Sequence, residues 1–243
     1  MVLNMKEYLK AILPDSMKEF LRKFRKSLFD IYALKSYSQE GEDMILRYIF
    51  GNQKTGFYVD VGAHHPKRFS NTCFFYKKGW RGINIDTMPG SMEEFNKRRP
   101  RDINVELAIS SKKHELTYYI FDEPALNSFS KELSESRGGC GGKYKIIDVK
   151  KLETFRLEEV LDKHLPKNQI IDFMSVDVEG LDFDVLVSNN WNKYKPKVLL
   201  VEIYSESVAG LMEHEITKFL KNYGYIIFAK CPNTVIFKFL PEV

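Results

Sequence analysis

From Tyr37 to the end of the chain, short runs rich in β-branched and aromatic residues alternate with helix-length segments, and few folds accommodate that rhythm. Parallel neighbours in a sheet need a crossover of a dozen or more residues, so the pattern predicts βαβ units around a mostly parallel sheet with helices on both faces. Seven strands are predicted, at 57–61, 82–86, 103–109, 171–177, 198–203, 225–229 and 235–239. The last two lie too close for a crossover helix and are expected to form an antiparallel hairpin through Cys231-Pro232-Asn233. Helices are predicted at 42–50, 71–78, 92–98, 156–164, 181–188 and 212–222. The segment 71–78 is opened by Ser70 and stopped by Gly79, and 92–98 is preceded by Ser91 with Glu94 three positions on, the two partners of a capping box. Residues 114–152 break the alternation with two further strands, HELTYYIF and KYKIIDV, joined by a connection containing GGCGG at 138–142. Within it, 122–145 reads as a lid, since a glycine-rich hinge beside Phe121 and Phe129 allows closure over a bound molecule.

The 243 residues carry a formal charge of +4, and the imbalance is local: residues 1–37 hold eight Lys/Arg against four Asp/Glu, while the rest sums to zero. A neutral body has no broad field for a polyanion, which argues against nucleic acid as a partner. Residues 5–34 read as two basic amphipathic helices broken near Pro14, the second with Met17, Phe20, Leu21, Phe24, Leu28 and Ile31 at helical spacing. This extension, 1–36, stands apart from a domain at 37–243. It has three readings: a helix packed on the domain, a contact in a homo-oligomer, or an interfacial anchor on an anionic membrane or against a glycosyltransferase. No apolar run reaches the roughly 20 residues that span a bilayer, and the first residues lack a secretory apolar segment. Cys73, Cys140 and Cys231 have neither zinc-site nor disulfide spacing. A cytoplasmic protein, at most peripheral on the inner membrane face, is expected.

Ligands of open α/β sheets bind beyond the carboxyl ends of the strands. The first strand ends in Asp60-Val61-Gly62-Ala63-His64-His65-Pro66, and the helix opening at Ser70-Asn71 presents free N–H groups. The second strand ends in Asp86, whose two oxygens can accept both hydroxyls of a ribose. The dinucleotide fingerprint is missing, with His64 where its second glycine belongs, so a pyrophosphate would lack its backbone cradle. A nicotinamide-dependent oxidoreductase is accordingly the weaker reading. Asp60 suggests a cationic ligand instead, such as the amino group and sulfonium of S-adenosylmethionine. Asp177-Val178-Glu179-Gly180 after the fourth strand and Glu202 in the fifth bring three carboxylates to the same edge, a grouping that calls for a cation.

The segments YSQEGED (37–43), FYVDVGAHHPKRFSNT (57–72), GWRGINIDTMP (79–89), ELAIS (106–110), FMSVDVEGLDFDVL (173–186) and LLVEIY (199–204) together resemble the FkbM family of S-adenosylmethionine-dependent methyltransferases. The resemblance runs from about 37 to 240. It implies a Rossmann-like class I methyltransferase fold and O-methylation of a sugar hydroxyl on a bacterial surface glycan, a glycan precursor, or a natural product. By position, Asp60 and Gly62 would hold the methionine end of the cofactor, Asp86 the ribose and Ala108 the adenine edge. Asn71 would lie on the cofactor side, with Ser38 and Gln39 closing over it. For catalysis the chemistry needs a positioned base, and Asp177, which shares a side of the chain with Glu179, leads over His65. A Mg²⁺ ion on Asp177 and Glu202 is a further expectation. From another class comes the alternative of a noncatalytic, membrane-associated glycan-assembly module.

Overall fold

The computed structural model describes residues 13–28, 32–138, 143–205 and 207–240. The chain divides into two units, 1–35 and 36–243. In the first, Asp15–Leu28 is a helix on which the rings of Phe20 and Phe24 stack with centroids 6.0 Å apart. The helix expected before Pro14 lies outside the described residues.

The second unit is built on a seven-stranded sheet. Its strands are β1 (Phe57–Val61), β2 (Arg81–Asp86), β3 (Ile103–Glu106), β7 (Phe173–Val176), β8 (Val198–Glu202), β9 (Tyr225–Lys230) and β10 (Thr234–Phe239), in the order β3-β2-β1-β7-β8-β10-β9. The first five run parallel, and β10 is antiparallel to both β8 and β9. This is the mostly parallel sheet with a C-terminal hairpin that the sequence predicts, and it has the class I methyltransferase architecture.

Each central strand is buried on both sides, and the two sides differ. Val59, Val61, Ile83, Ile85, Met174, Val176, Leu199 and Val201 meet the helices Leu157–His164, Asp182–Val187, Val208–Glu213 and Glu215–Lys221 in one large apolar cluster. On the other side Tyr58, Phe173, Val198 and Leu200 pack under the helices Glu42–Phe50 and Cys73–Lys77 with Phe50, Phe75 and Trp80. That second face turns polar toward the strand ends, through Asp60, Asn84, Ser175 and Asp86.

Three expectations are corrected. The strand expected over 103–109 is two, because after Leu107 the chain leaves the main sheet and β4 (Ala108–Ile109) pairs with Thr154 and Phe155. That partner, β6 (Ile146–Phe155), pairs antiparallel with β5 (Glu115–Phe121), making a separate sheet ordered β4-β6-β5. The capping box at Ser91 does not form: Gly90 precedes the helix Ser91–Arg98 in the left-handed region, and Glu94 pairs with Arg98 one turn on. The helix expected over 212–222 is broken at His214, whose Nδ1 accepts from the Ile216 N–H at 3.3 Å and restarts the helix.

A fully buried cation supports the loop after β1. Arg99 Nε donates to the Pro66 carbonyl at 3.0 Å, one Nη donates to Thr72 Oγ1 at 2.7 Å and the other to Ser70 Oγ at 2.8 Å. Thr72 Oγ1 passes its own proton to Asp60 Oδ2 at 2.9 Å, which links the guanidinium to the strand-end carboxylate. Arg99→Met leaves these acceptors buried and unpaired, and is expected to cost about 3 kcal/mol or more. At the neighbouring exposed pair, Arg98→Met is expected to cost under about 1 kcal/mol. Urea denaturation of both variants measures the contrast; equal losses would remove Arg99 from this role.

Candidate active site

The carboxyl ends of β1, β2, β7 and β8 open into a cleft of about 1050 Å³, counting the part continuous with solvent. Gly62, His64, Asp86, Asp177, Glu179, Glu202 and Tyr204 line its floor and one side. The opposite wall comes from the insertion that carries the small sheet: Tyr118, Pro124 to Asn127, Phe129 and Arg137. The insertion expected as a lid is thus a wall of the cleft; its residues 139–142, Cys140 among them, lie outside the described residues. Of the two aromatics assigned to it, Phe129 faces the cleft and Phe121 is buried away from it, 1% exposed.

Local geometry sets the floor. Gly62 has φ of +82°, and a Cβ there would sit 1.7 Å from the Asp177 carbonyl oxygen. The glycine therefore serves a close approach between the first loop and the turn after β7, and it also lines the cleft, where the sequence suggests an approach of backbone to ligand. That turn is left-handed at Glu179 (φ 55°) and Gly180 (φ 107°), and it is tied from below by Asp182, whose carboxylate accepts from the Val178 and Gly180 N–H groups.

Three carboxylates converge here: Asp177, Glu179 and Glu202 offer oxygens within 4.8 Å of one another. Arg137 engages Glu179 at 2.7 Å, and Tyr204 donates its hydroxyl to Glu202 at 2.8 Å. Among the described residues no cation pairs with Asp177 or Glu202. Asp177 opens onto the cleft yet is deeply surrounded, and lost hydration followed by the charges of Glu202 and Glu179 holds its proton far more tightly than usual. Glu202 is raised as well, by burial and then by Glu179. Because the pair shares one environment, both directions belong to the two residues jointly.

The remaining predicted residues separate into those at the cleft and those beneath it. Asp86 lines the cleft, its Oδ2 accepting from the His64 N–H at 2.8 Å and its Oδ1 from the Met88 N–H at 2.9 Å. The carboxyl is 8% exposed, and burial raises its proton affinity while those two N–H groups draw it back. Gln39 also lines the cleft. Asp60 does not: it is buried below the rim on Thr72, and desolvation pushes it up to about 6. Ser38 accepts the Asp43 N–H at the start of the helix Glu42–Phe50. Asn71 donates to Ser175 Oγ at 3.0 Å, and Ala108 is buried while its neighbour Ile109 reaches the cleft. His65 is taken up by the loop, its Nδ1 accepting from the Lys67 and Arg68 N–H groups. Its neighbour His64 is the histidine at the cleft. Sequence reasoning also missed Met88, Tyr118 and Arg137, all of which reach the cleft through loops or the insertion and carry no periodic signal.

Residues 60–227 match the methyltransferase FkbM domain. The chain belongs to the FkbM methyltransferase family. It is thus an S-adenosylmethionine-dependent methyltransferase of a family that acts on sugars and glycans. No curated protein matches the chain. Among solved structures, a proposed RNA methyltransferase from Pyrococcus horikoshii is similar at 10% identity and a TM-score of 0.44, over 86% of this chain and 92% of that one. Phosphoethanolamine N-methyltransferase 1 of Haemonchus contortus, solved with phosphoethanolamine and S-adenosylhomocysteine, is similar at 11% identity and a TM-score of 0.32, over 93% of this chain and 45% of that one. The cleft of this FkbM domain suits its cofactor on charge and shape: an excess of carboxylates faces a sulfonium and an ammonium, Asp86 presents a carboxyl to ribose hydroxyls, and Met88, Ile109, Tyr118 and Phe129 offer apolar surface to a nucleobase.

A carboxyl whose affinity for protons is higher folded than unfolded costs stability once pH exceeds its ordinary range, and the cost grows until the folded group ionises. Glu202→Gln keeps an acceptor for Tyr204 while deleting the charge. It is expected to stabilise the cofactor-free domain by about 2 kcal/mol in mildly alkaline buffer, the gain shrinking toward pH ~5. Denaturant melts of both proteins across that range check the sign; a loss of stability at alkaline pH would contradict it.

Proposed function

We propose that this FkbM enzyme transfers a methyl group to a sugar hydroxyl of a surface glycan or glycan precursor, with Asp177 as the general base. The observation that carries the reading is the Asp177–Glu202 pair, two carboxylates at the cleft floor with raised proton affinity and, among the described residues, no paired cation. An alcohol attacks poorly until its proton has somewhere to go, and a base is most effective when its pKa approaches the working pH. A normal surface aspartate is too weak for that task. Lost hydration at the cleft floor and the neighbouring charge of Glu202 strengthen this one.

When bound, S-adenosylmethionine supplies an electrophilic methyl group on a positively charged sulfur. Asp86 accepts the ribose hydroxyls while its carboxyl stays tied to the loop N–H groups of His64 and Met88. Asp177 takes the acceptor proton, and Glu202, fixed by Tyr204, shares it. Burial raises the proton affinity of Glu179 as well, and Arg137, paired with it at 2.7 Å, offsets part of that rise. Phe69 and Tyr204, both cleft-lining and well exposed, present faces on which a sugar ring stacks. The wall from Pro124 to Arg137 limits water at the reacting centre.

His65 fits the role of base less well, because both loop N–H groups already occupy its Nδ1 and it does not line the cleft. Mg²⁺ on Asp177 and Glu202 would find the third carboxylate of the cluster, Glu179, already paired with Arg137. Neither the oxidoreductase nor the noncatalytic module gives an account of the acidic rim.

Asp177→Asn is expected to lower methyl transfer roughly 10²–10⁴-fold while weakening cofactor binding far less, whereas Asp86→Ala loses the thermal stabilisation that the cofactor gives the wild type. Mass spectrometry of surface glycans from cells with and without the gene, read for the gain of one CH₂ on a sugar, identifies the acceptor. Full turnover in Asp177→Asn would end the assignment of the base, and glycans unchanged by deletion would end that of the acceptor.

A further inference from the structure

Among the described residues, the helix Asp15–Leu28 shows an exposed apolar stripe. Met17, Phe20 and Phe24 are 47%, 64% and 52% exposed, and their spacing of three and four residues puts them along one side. Leu21 and Leu28 fall on the same side by sequence position. A 14-residue helix is close to the length at which isolated helices are marginal in water, so an exposed aromatic stripe gains most from a surface that covers it.

Charge indicates which surface. Within these 14 residues stand Lys18, Arg22, Lys23, Arg25 and Lys26 against Asp15 and Glu19. The rest of the chain after residue 37 sums to zero, so the excess of +4 lies within residues 1–37, and most of it in the helix that carries the stripe. Aromatic and aliphatic residues on one side with Lys/Arg around them is the composition of a helix that lies in the headgroup region of an anionic bilayer. Among the described residues, no helix is long and apolar enough to cross a membrane.

We infer that Asp15–Leu28 docks this enzyme on anionic lipid, lying in the plane of the membrane with Phe20 and Phe24 inserted and the lysines and arginines at the phosphates. The inference stands apart from the assignment of the cleft, since it uses none of its residues. It has a functional consequence: a methyltransferase held at a lipid surface meets acceptors carried on lipid at a far higher local concentration than free ones.

The test uses the full chain and vesicles of phosphatidylcholine alone or mixed with phosphatidylglycerol, separated by sedimentation. The wild type is expected to pellet with the mixed vesicles and to stay in solution with phosphatidylcholine alone, and binding should fall as salt is raised. Removing two charges in Arg25→Gln/Lys26→Gln is expected to weaken partitioning roughly tenfold or more. Phe20→Ser/Phe24→Ser should weaken it comparably at low salt, with the thermal melt of the domain unchanged in both variants. Wild-type protein that remains in the supernatant with anionic vesicles would overturn the inference. So would equal binding to neutral vesicles, or variants that lose self-association in sedimentation velocity while vesicle binding stays intact; the last result would assign the stripe to a second copy of the chain.

Discussion

The Asp177 carbonyl occupies the space where a side chain at position 62 would be, and the cleft depends on that contact. At this point β1 and β7 are adjacent parallel strands about to diverge; the Asp177 N–H still bonds Val61 and the Gly62 N–H bonds Ile85. Only a residue without Cβ, in a left-handed conformation, lets the first loop fold back so closely over the turn after β7. With the two loops in contact, the Asp177 side chain stands at the cleft floor, open to the cleft and close to Glu202 and Glu179. There it loses hydration and meets Glu202, and from this its raised proton affinity follows. The chemistry is thus a consequence of a backbone approach.

Such a rim is costly to the folded protein, and the layer beneath it shows how the cost is contained. On one face of the sheet the strands progress from aromatic packing around Phe173 and Trp80 to a buried polar layer around Asp60, Asn84 and Thr72. Arg99 sits in that layer at 1% exposure and reaches three separate points of the first loop. A buried cation close to Asp60 offsets part of the desolvation that pushes this carboxyl to about 6. The same guanidinium therefore fixes the loop that carries His64 and moderates the charge below it. Farther out, Arg137 does the equivalent for Glu179 from the opposite wall.

The sheet was legible because burial on both faces leaves long runs such as FYVDV and VLLVE with no polar alternation, and the crossover lengths then decide parallel from antiparallel. Asp86, Asp177 and Glu202 were legible for a related reason, as polar residues at the ends of such runs have little else to do. What escaped was set by tertiary contact. Asp60 has the same strand-end signature as Asp86, yet Thr72 and Arg99 enclose it, and nothing in the local sequence says so. His65 and His64 are chemically equal on paper; a loop turn that spends one ring on its own N–H groups separates them. Ser91-x-x-Glu94 satisfied a capping rule, but Gly90 took the left-handed position and Arg98 claimed the glutamate. The wall residues Met88, Tyr118 and Arg137 come from loops and an insertion whose folding over the cleft follows from the small sheet, itself recognisable only as two extra strands.

The account rests on a cleft whose excess negative charge is reserved for a positively charged methyl donor. Titration calorimetry of S-adenosylmethionine and S-adenosylhomocysteine across mildly acidic to mildly alkaline pH tests that most directly, because the two differ in the charge on sulfur. Carboxyls that hold protons until a cation arrives should release them on binding, so the affinity for S-adenosylmethionine is expected to rise with pH and to rise more than that for S-adenosylhomocysteine. An affinity for the charged donor that is flat or falling with pH, or equal slopes for the two ligands, would contradict the account.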